Sequence, residues 1–459
     1  MFTRLADFHD WFAEQTVRQS NVVTRTGVDD LPGWRIDPDS GNLVHDTGRF
    51  FSVSGLDVVT DHRDSGRWRQ PIIIQSEIGI LGLLVKVLDG EVYCLMQAKM
   101  EPGNINLVQV SPTVQATRSN YSRVHGGSDV PYLEYFVAPR RGRIVFDALQ
   151  SEQGSWFLKK RNRNMIVQVD ADVPARDGFC WLSVTQIAQL LQHPNLINMD
   201  ARTVLSGILF VESLGPTRAP HPEGPSLYPF GHVLSWLSEA RSSYHLTQRP
   251  IPLRSVPRWH WTGAGELVHD TGRYFSVIGV HVAASDREVR QWSQPLLKPV
   301  GRGVIGFLAR RVGGVYHLLT SARTEAGTRD VVEVGATVSC NPVNYAAPTG
   351  LTPPRYLGEL LAADASRVLV DVVHSEEGGR FFGAENRYLI VDVGEDFDLD
   401  VPDDYCWMTL DQIITFVRFG NTVNVAARCL LTCLVGLLER GREQWSPEST
   451  EARRSMWIA

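Results

Sequence analysis

The stretch LVHDTGRFFSV, from Leu43 to Val53, returns as LVHDTGRYFSV, from Leu267 to Val277. Ten of the eleven residues agree, at an offset of 267 − 43 = 224. Self-similarity at a fixed spacing is a stronger guide to architecture than any single motif. The offset holds without a gap far outside the peptide. Trp68-x-Gln70-Pro71 meets Trp292-x-Gln294-Pro295, and Glu101-x-Gly103 meets Glu325-x-Gly327. DALQSEQG from Asp147 meets DVVHSEEG from Asp371, and Asn162-Arg163 meets Asn386-Arg387. Small gaps then shift the register, and Cys180-Trp181 meets Cys406-Trp407. Each unit is about 200 residues long, the size of a domain and not of a solenoid repeat. The expected domains are 1–214 and 226–459, with a linker at 215–225 where prolines and glycines break any helix.

Within one unit an amphipathic helix comes first, on Phe2, Leu5, Phe8 and Phe12. Short strands follow, including a hairpin that turns at Asp89-Gly90 and a strand over LVQVSPTVQAT. Ser183-x-x-Gln186 and Thr409-x-x-Gln412 read as capping boxes that open a helix in each unit. DARTVLSGILFVESL reads as a closing helix. No βαβαβ rhythm is present, so the class is α+β: a tandem duplication with mixed β-sheets flanked by helices.

A chain of 459 residues exceeds one core. With 43% hydrophobic and 21% charged residues it reads as an ordinary globular protein. A net charge of −6 argues against nucleic acid as partner. The six cysteines form no C-x-x-C pair and read as small packed side chains, which suits a reducing cytoplasm. The N-terminus is charged throughout, unlike a signal peptide, and no run reaches the roughly 18 apolar residues of a membrane span.

Two apparent motifs dissolve on inspection. Gly301-x-Gly303-x-x-Gly306 spells a dinucleotide fingerprint, but the following FLARRVGGVYHLL reads as a hairpin and not a helix. His45-Asp46 lacks a nucleophile motif or a metal partner at ligand spacing, and Asp-Thr-Gly-Arg reads as a turn. The chemistry-bearing stretches are Gln97–His125 and Leu149–Asn164. The first carries Lys99, Glu101, Gln115, Arg118, Asn120, Tyr121 and His125. The second carries Glu152, Lys160, Arg161 and Arg163 around Trp156 and Phe157. Cations beside aromatics suit a ligand with phosphates and a flat base. They equally suit a solvated basic loop.

The two copies divide these residues. Glu101, Asn120, Tyr121, Glu152, Asn162 and Arg163 have identical counterparts, and Lys99 becomes Arg323. Gln115 becomes Ser339, Arg118 becomes Pro342, His125 becomes Thr349, and Lys160-Arg161 becomes Ala384-Glu385. Residues confined to the first unit suit chemistry or tighter binding.

These two stretches, with DTGRFFSV and QPIIIQSEIGILG, resemble the NDP-hexose 2,3-dehydratases of deoxysugar biosynthesis over essentially the whole chain. The resemblance implies two Nudix-like domains in one chain, a homodimer, and a dTDP pocket in each domain. It implies loss of the carbon-2 hydroxyl of dTDP-4-keto-6-deoxy-D-glucose as water. The labile 3,4-diketo-2,6-dideoxy product would pass to a 3-ketoreductase. No cofactor is required, because the reaction has no net redox change. No metal is expected, since SPTVQATRSNY carries none of the carboxylates of a Nudix signature. On that reading Glu101, His125, Tyr121 and Lys99 are the catalytic candidates. Arg118, Asn120, Gln115, Lys160, Arg161, Arg163, Trp156 and Trp68 are the substrate-binding candidates. Asn344, Tyr345, Glu325 and Arg387 are the candidates of a second pocket. The rival is a nucleotide-sugar-binding protein without catalysis.

Overall fold

The computed structural model describes residues 1–434 except 3, 20, 63–65, 118–129, 140, 171, 212–223, 285–289 and 347–349. Four sheets are present among the described residues, two of seven strands and two of five. Each half supplies one large sheet. In the first, the hairpin Ile80–Leu88 and Glu91–Met100 turns at Asp89 and Gly90, with φ of 51° and 80°. Positive φ at both central residues matches the twist of the flanking strands, which is why this pair favours Asp-Gly. Arg161–Gln168 lies parallel to Ile80–Leu88 and makes the sheet mixed. The second half repeats the arrangement with Glu385–Asp392 parallel to Gly303–Val312. Gly303 to Gly306 thus open a strand, and no helix follows them to receive a dinucleotide phosphate.

Both capping boxes form, Ser183 with Gln186 and Thr409 with Gln412. LVQVSPTVQAT differs from the single strand expected. It makes Val108–Ser111 and Val114–Ala116, which pair with opposite arms of the hairpin. Pro112, without an N–H, sits between them, and Thr113 bridges the two arms. Its hydroxyl donates to the Leu95 carbonyl at 2.5 Å and accepts from the Leu84 N–H at 2.8 Å. The closing helix is also shorter than expected, Met199–Leu205 and then a 3₁₀ turn Ile208–Phe210. Between them Gly207 lies against the Phe146 ring, where a Cβ would stand 2.7 Å from ring carbons.

The small sheets are built across the halves. Asn21–Thr26 pairs with Phe275–Ala284 of the second half, and Leu246–Ile251 pairs with Ser52–Thr60 of the first. Each small sheet then covers the large sheet of the other half. Ile278, Val280, Val282 and Leu296 pack on Ala98, Met100 and Val108, while Leu56, Val58 and Ile72 pack on Ala326. The duplicated peptide meets its own copy in this arrangement. Leu43, Phe51 and Val53 share one buried cluster with Leu267, Phe275 and Val277. Leu43, Phe51 and Val53 thus face the same residues of the other copy, which constrains each of them twice.

Two glycines mark the closest crossings. A Cβ on Gly103 would stand 1.8 Å from the Phe381 carbonyl oxygen, and one on Gly327 would stand 1.7 Å from that of Phe157. Only a residue without a side chain allows such an approach. The short helices Met199–Leu205 and Val425–Thr432 also meet, and bury Arg202 and Arg428 completely. Arg428 donates to Thr203 Oγ1 at 3.0 Å and to the Ser151 carbonyl at 2.7 Å, both in the first half. The cysteines are all free, and burial pushes the thiols of Cys94, Cys180, Cys429 and Cys433 up. They pack and do not react. Among the described residues no helix is long and apolar enough to cross a membrane.

Candidate active site

A cleft of about 1760 Å³ opens over the large sheet of the first half. Its floor follows from strand periodicity. Gln97, Lys99 and Glu101 sit two residues apart on one strand and its end, so all three face the cleft. Gln115 faces them from the neighbouring edge and donates to Glu101 Oε1 at 2.6 Å. The Lys99 ammonium donates to the Gln115 carbonyl at 3.3 Å. Lys160 reaches the cleft from the start of Arg161–Gln168 and donates to the Glu77 carbonyl. Asn162, two residues on, donates to Glu152 Oε1 at 2.8 Å and accepts from the Gly79 N–H at 3.1 Å. Asp200, 3% exposed, enters from the helix Met199–Leu205.

The second half completes the wall. Its small sheet brings Trp292 and Gln294, and its loop after Ser375 brings Glu377 and Arg380. Arg380 donates to Gln75 Oε1 at 3.1 Å and lies 4.3 Å above the Phe51 ring. The contact of Gly103 with this loop holds it in place: the Gly103 N–H donates to the Gly378 carbonyl at 2.7 Å.

The electrostatics follow from carboxyls crowded in a partly dry wall. Desolvation raises the Glu377 pKa above the ordinary range, and Arg380 opposes the rise. Desolvation also raises Asp200 well above its usual value, and the charges of Glu377, Glu101 and Glu152 add to it. Burial raises Glu152 to about 7. Burial lowers Lys160, against the pull of Glu152. Carboxyl groups whose pKa burial raises therefore share one cleft with cationic side chains, a combination that suits acid–base chemistry on a charged substrate.

Of the residues singled out from sequence, the cleft gathers Lys99, Glu101, Gln115 and Lys160. Arg118, Asn120, Tyr121 and His125 lie outside the described residues. The basic run divides by alternation. Lys160 and Asn162 face the cleft, while Arg161 and Arg163 point to the opposite side. Arg163 pairs there with Asp147, Nε to Oδ1 2.7 Å. Trp156 packs on Phe381 at 4.3 Å between the halves and does not line the cleft. Trp68 donates to Gln70 Oε1 at 2.9 Å and packs near Ala326, because its sheet covers the second half. Its counterpart Trp292 occupies the cleft instead. In the second half Glu325 pairs with Arg323 at 3.4 Å, and Arg387 pairs with Asp371 at 2.8 Å, as Arg163 does with Asp147. Asn344 accepts from the Tyr274 N–H at 3.3 Å, and Tyr345 ends the same short turn. His45 makes the expected turn, its Nδ1 accepting from the Thr47 N–H at 3.2 Å, yet the turn also forms the cleft rim with Arg49 and Phe50.

Asp200, Glu377 and Arg380 were not singled out, although a signal existed. Their counterparts are Ala426, Gln153 and Trp156. That signal is the difference between the two copies at Asp200, Glu377 and Arg380, which lie outside the two basic stretches of the first half.

The fold and the cleft define a duplicated α+β protein with a cleft lined by acidic and basic side chains of both halves. A family model for NDP-hexose 2,3-dehydratase matches it twice, over residues 5–208 and 231–434. The dTDP-4-dehydro-6-deoxy-alpha-D-glucopyranose 2,3-dehydratase of Streptomyces violaceoruber is 50% identical, over 96% of this chain and 99% of that protein. Proteins of the same description from Saccharopolyspora spinosa and Amycolatopsis orientalis are each 45% identical. They align over 95% and 94% of this chain and 92% and 90% of their own. The chain belongs to the NDP-hexose 2,3-dehydratase family. A solved ADP compounds hydrolase covers 37% of this chain and 90% of its own, at 16% identity and a TM-score of 0.25, too low to carry an argument.

Proposed function

We propose that the chain dehydrates dTDP-4-keto-6-deoxy-D-glucose at carbons 2 and 3 and that the cleft of the first half is the reaction site. The observation that carries this reading is the convergence of Lys99, Glu101, Lys160, Asp200, Glu377 and Arg380 on one cleft. The 4-keto group acidifies the hydrogen on carbon 3, so a carboxylate suffices as base. Glu101 accepts a hydrogen bond from the Gln115 amide, which orients it for that role. Lys99 stands beside it to stabilise the developing enolate. Lys160 and Arg380 suit the diphosphate. Arg118, Asn120, Tyr121 and His125 belong to the segment that follows Thr117 at the cleft edge and keep their proposed parts in binding and proton transfer. Trp292, the counterpart of the substrate-binding candidate Trp68, lines the cleft and suits stacking on the nucleotide base.

A Nudix-like fold for each half, a homodimer, transfer of product to a 3-ketoreductase and a cytoplasmic location complete the proposal and rest on the family resemblance. The test is incubation with the 4-keto nucleotide sugar, with a 3-ketoreductase and NADPH present to trap the product. Mass spectrometry should show loss of one water together with the two hydrogens gained on reduction, a net loss of one oxygen. Tight dTDP binding with intact substrate would favour the binding-only reading instead.

A further inference from the structure

The elimination needs two proton-handling groups of opposite character, and the cleft distinguishes them. Glu101 accepts a hydrogen bond from Gln115 and has Lys99 on the same strand. Glu377 stands beside Arg380 on the loop of the second half. Asp200 differs from both. Its side chain is almost fully buried in the cleft floor, and its Oδ1 has no hydrogen-bond partner among the described residues. An ionised carboxylate without a donor is costly at such a place, whereas a carboxylic acid is tolerated. The corresponding residue of the second half is Ala426, the second residue of Val425–Thr432 as Asp200 is of Met199–Leu205. Asn198 and Asn424 cap the two helices through the N–H groups of Ala201 and Ala427. Helix formation therefore does not call for an aspartate at this position.

We propose that Asp200 is the general acid that protonates the departing carbon-2 hydroxyl, a role that rests on the dehydratase reading of this cleft. The base takes the carbon-3 proton, and the C–H pair becomes the enolate of the 4-ketone. The enolate then reforms the ketone, its electrons make the bond between carbons 2 and 3, and the bond from carbon 2 to oxygen breaks. Asp200 gives its proton to that oxygen, and water leaves. When the enol tautomerises, the carbon-3 hydroxyl releases one proton and carbon 2 takes one up. The acid and base can thus return to their starting forms without a co-reactant.

The test exploits a leaving group that needs no acid. Asp200→Asn keeps the shape of the protonated side chain and is compared with the parent on the 4-keto sugar and on its 2-deoxy-2-fluoro analogue. Turnover of the hydroxyl substrate should fall by about 10³-fold, while fluoride release stays within roughly tenfold of the parent. Asp200→Asn should also still exchange the carbon-3 hydrogen with deuterated solvent, because the base is untouched. Near-normal dehydration, equal loss with both substrates, or loss of the exchange in a variant that binds dTDP normally would each overturn the assignment. Should the variant not fold, the parent enzyme decides. Its turnover of the hydroxyl substrate should fall at high pH where that of the fluoro substrate does not. Titration of the surrounding Lys99, Glu101, Glu152 and Glu377 acts on both substrates, so matching profiles would overturn the proposal. A parent that releases water from neither substrate nor fluoride refutes the dehydratase reading itself, which is a separate failure.

Discussion

The two halves of this chain share a scaffold and differ in what they place on it. The first cleft carries Lys160, Gln115 and Asp200, faced by Glu377 and Arg380 of the second half. At the matching positions the second half has Ala384, Ser339 and Ala426, faced by Gln153 and Trp156 of the first. Glu101 and Glu325 occupy equivalent places but keep different company, Gln115 for the one and Arg323 for the other. Because the loops cross over, each half contributes to the surface of the other. Where the second half's loop carries Arg380 the first half's carries Trp156, and that ring packs on Phe381. The charged residues of the cleft therefore differ between the halves on both of the contributing segments, while the sheet topology is the same in each.

The most complete way to break this comparison is to separate the halves. Residues 1–214 and 226–459, produced apart, should each fail to unfold cooperatively. Each lacks a strand of its own small sheet and the cover of its large sheet. Produced together they should associate and recover activity. A single half with a cooperative thermal transition would show that the exchange is dispensable.

The next test changes one residue type in two contexts. Glu101→Gln should lower kcat by about 10² to 10⁴, the usual contribution of a positioned base. Glu325→Gln should leave turnover near the parent value, since no Lys160, Asp200 or Glu377 equivalent surrounds it. Steady-state kinetics on the 4-keto sugar measures both. Equal losses would mean that Glu325 is as much a part of the reaction as Glu101.

A third test addresses the crossing glycines. Gly103→Ala and Gly327→Ala each force a Cβ against a carbonyl oxygen and should cost at least about 3 kcal/mol of stability. Activity per folded molecule should separate them. Gly103→Ala displaces the loop that carries Glu377 and Arg380, whereas Gly327→Ala displaces the loop of Gln153 and Trp156. Urea midpoints and turnover on the same samples give the two quantities.

Much of this was legible in the chain itself. The repeated peptide revealed the duplication, Asp89-Gly90 the hairpin, and the Ser and Thr capping boxes the helices, because each is a local device. The strand exchange was not legible. Asn21–Thr26 alternates in the same way whichever sheet receives it, and no local pattern names a partner more than 200 residues away. For the same reason the place of Glu377 and Arg380 was hidden, since they line a cleft of the opposite half, although their difference from Gln153 and Trp156 was visible. Lys99, Glu101, Gln115 and Lys160 were legible because all come from one half. Arg161 and Arg163 were grouped with them by closeness in sequence, whereas strand alternation sends them to the other face.

The subtlest expected effect lies where the halves differ by a single atom type. Ser375 Oγ donates to Gln109 Oε1 at 2.9 Å in one half, and Ser151 Oγ donates to Glu333 Oε2 at 3.0 Å in the other. Glu333 is 4% exposed, and burial raises its carboxyl from 4.5 to about 7. The folded state therefore keeps a proton that the unfolded chain releases above 4.5. This group's stabilisation is complete below that value and is lost as pH rises through about 7. At 1.36 kcal/mol per unit the loss is no more than about 3 kcal/mol. Glu333→Gln writes the first half's residue into the second and removes the titration. Between about pH 5 and pH 8 the variant should lose correspondingly less stability than the parent in urea unfolding. Parallel pH profiles would mean that Glu333 is ionised in the fold, and that Arg428, close enough to favour the charged form, decides its state.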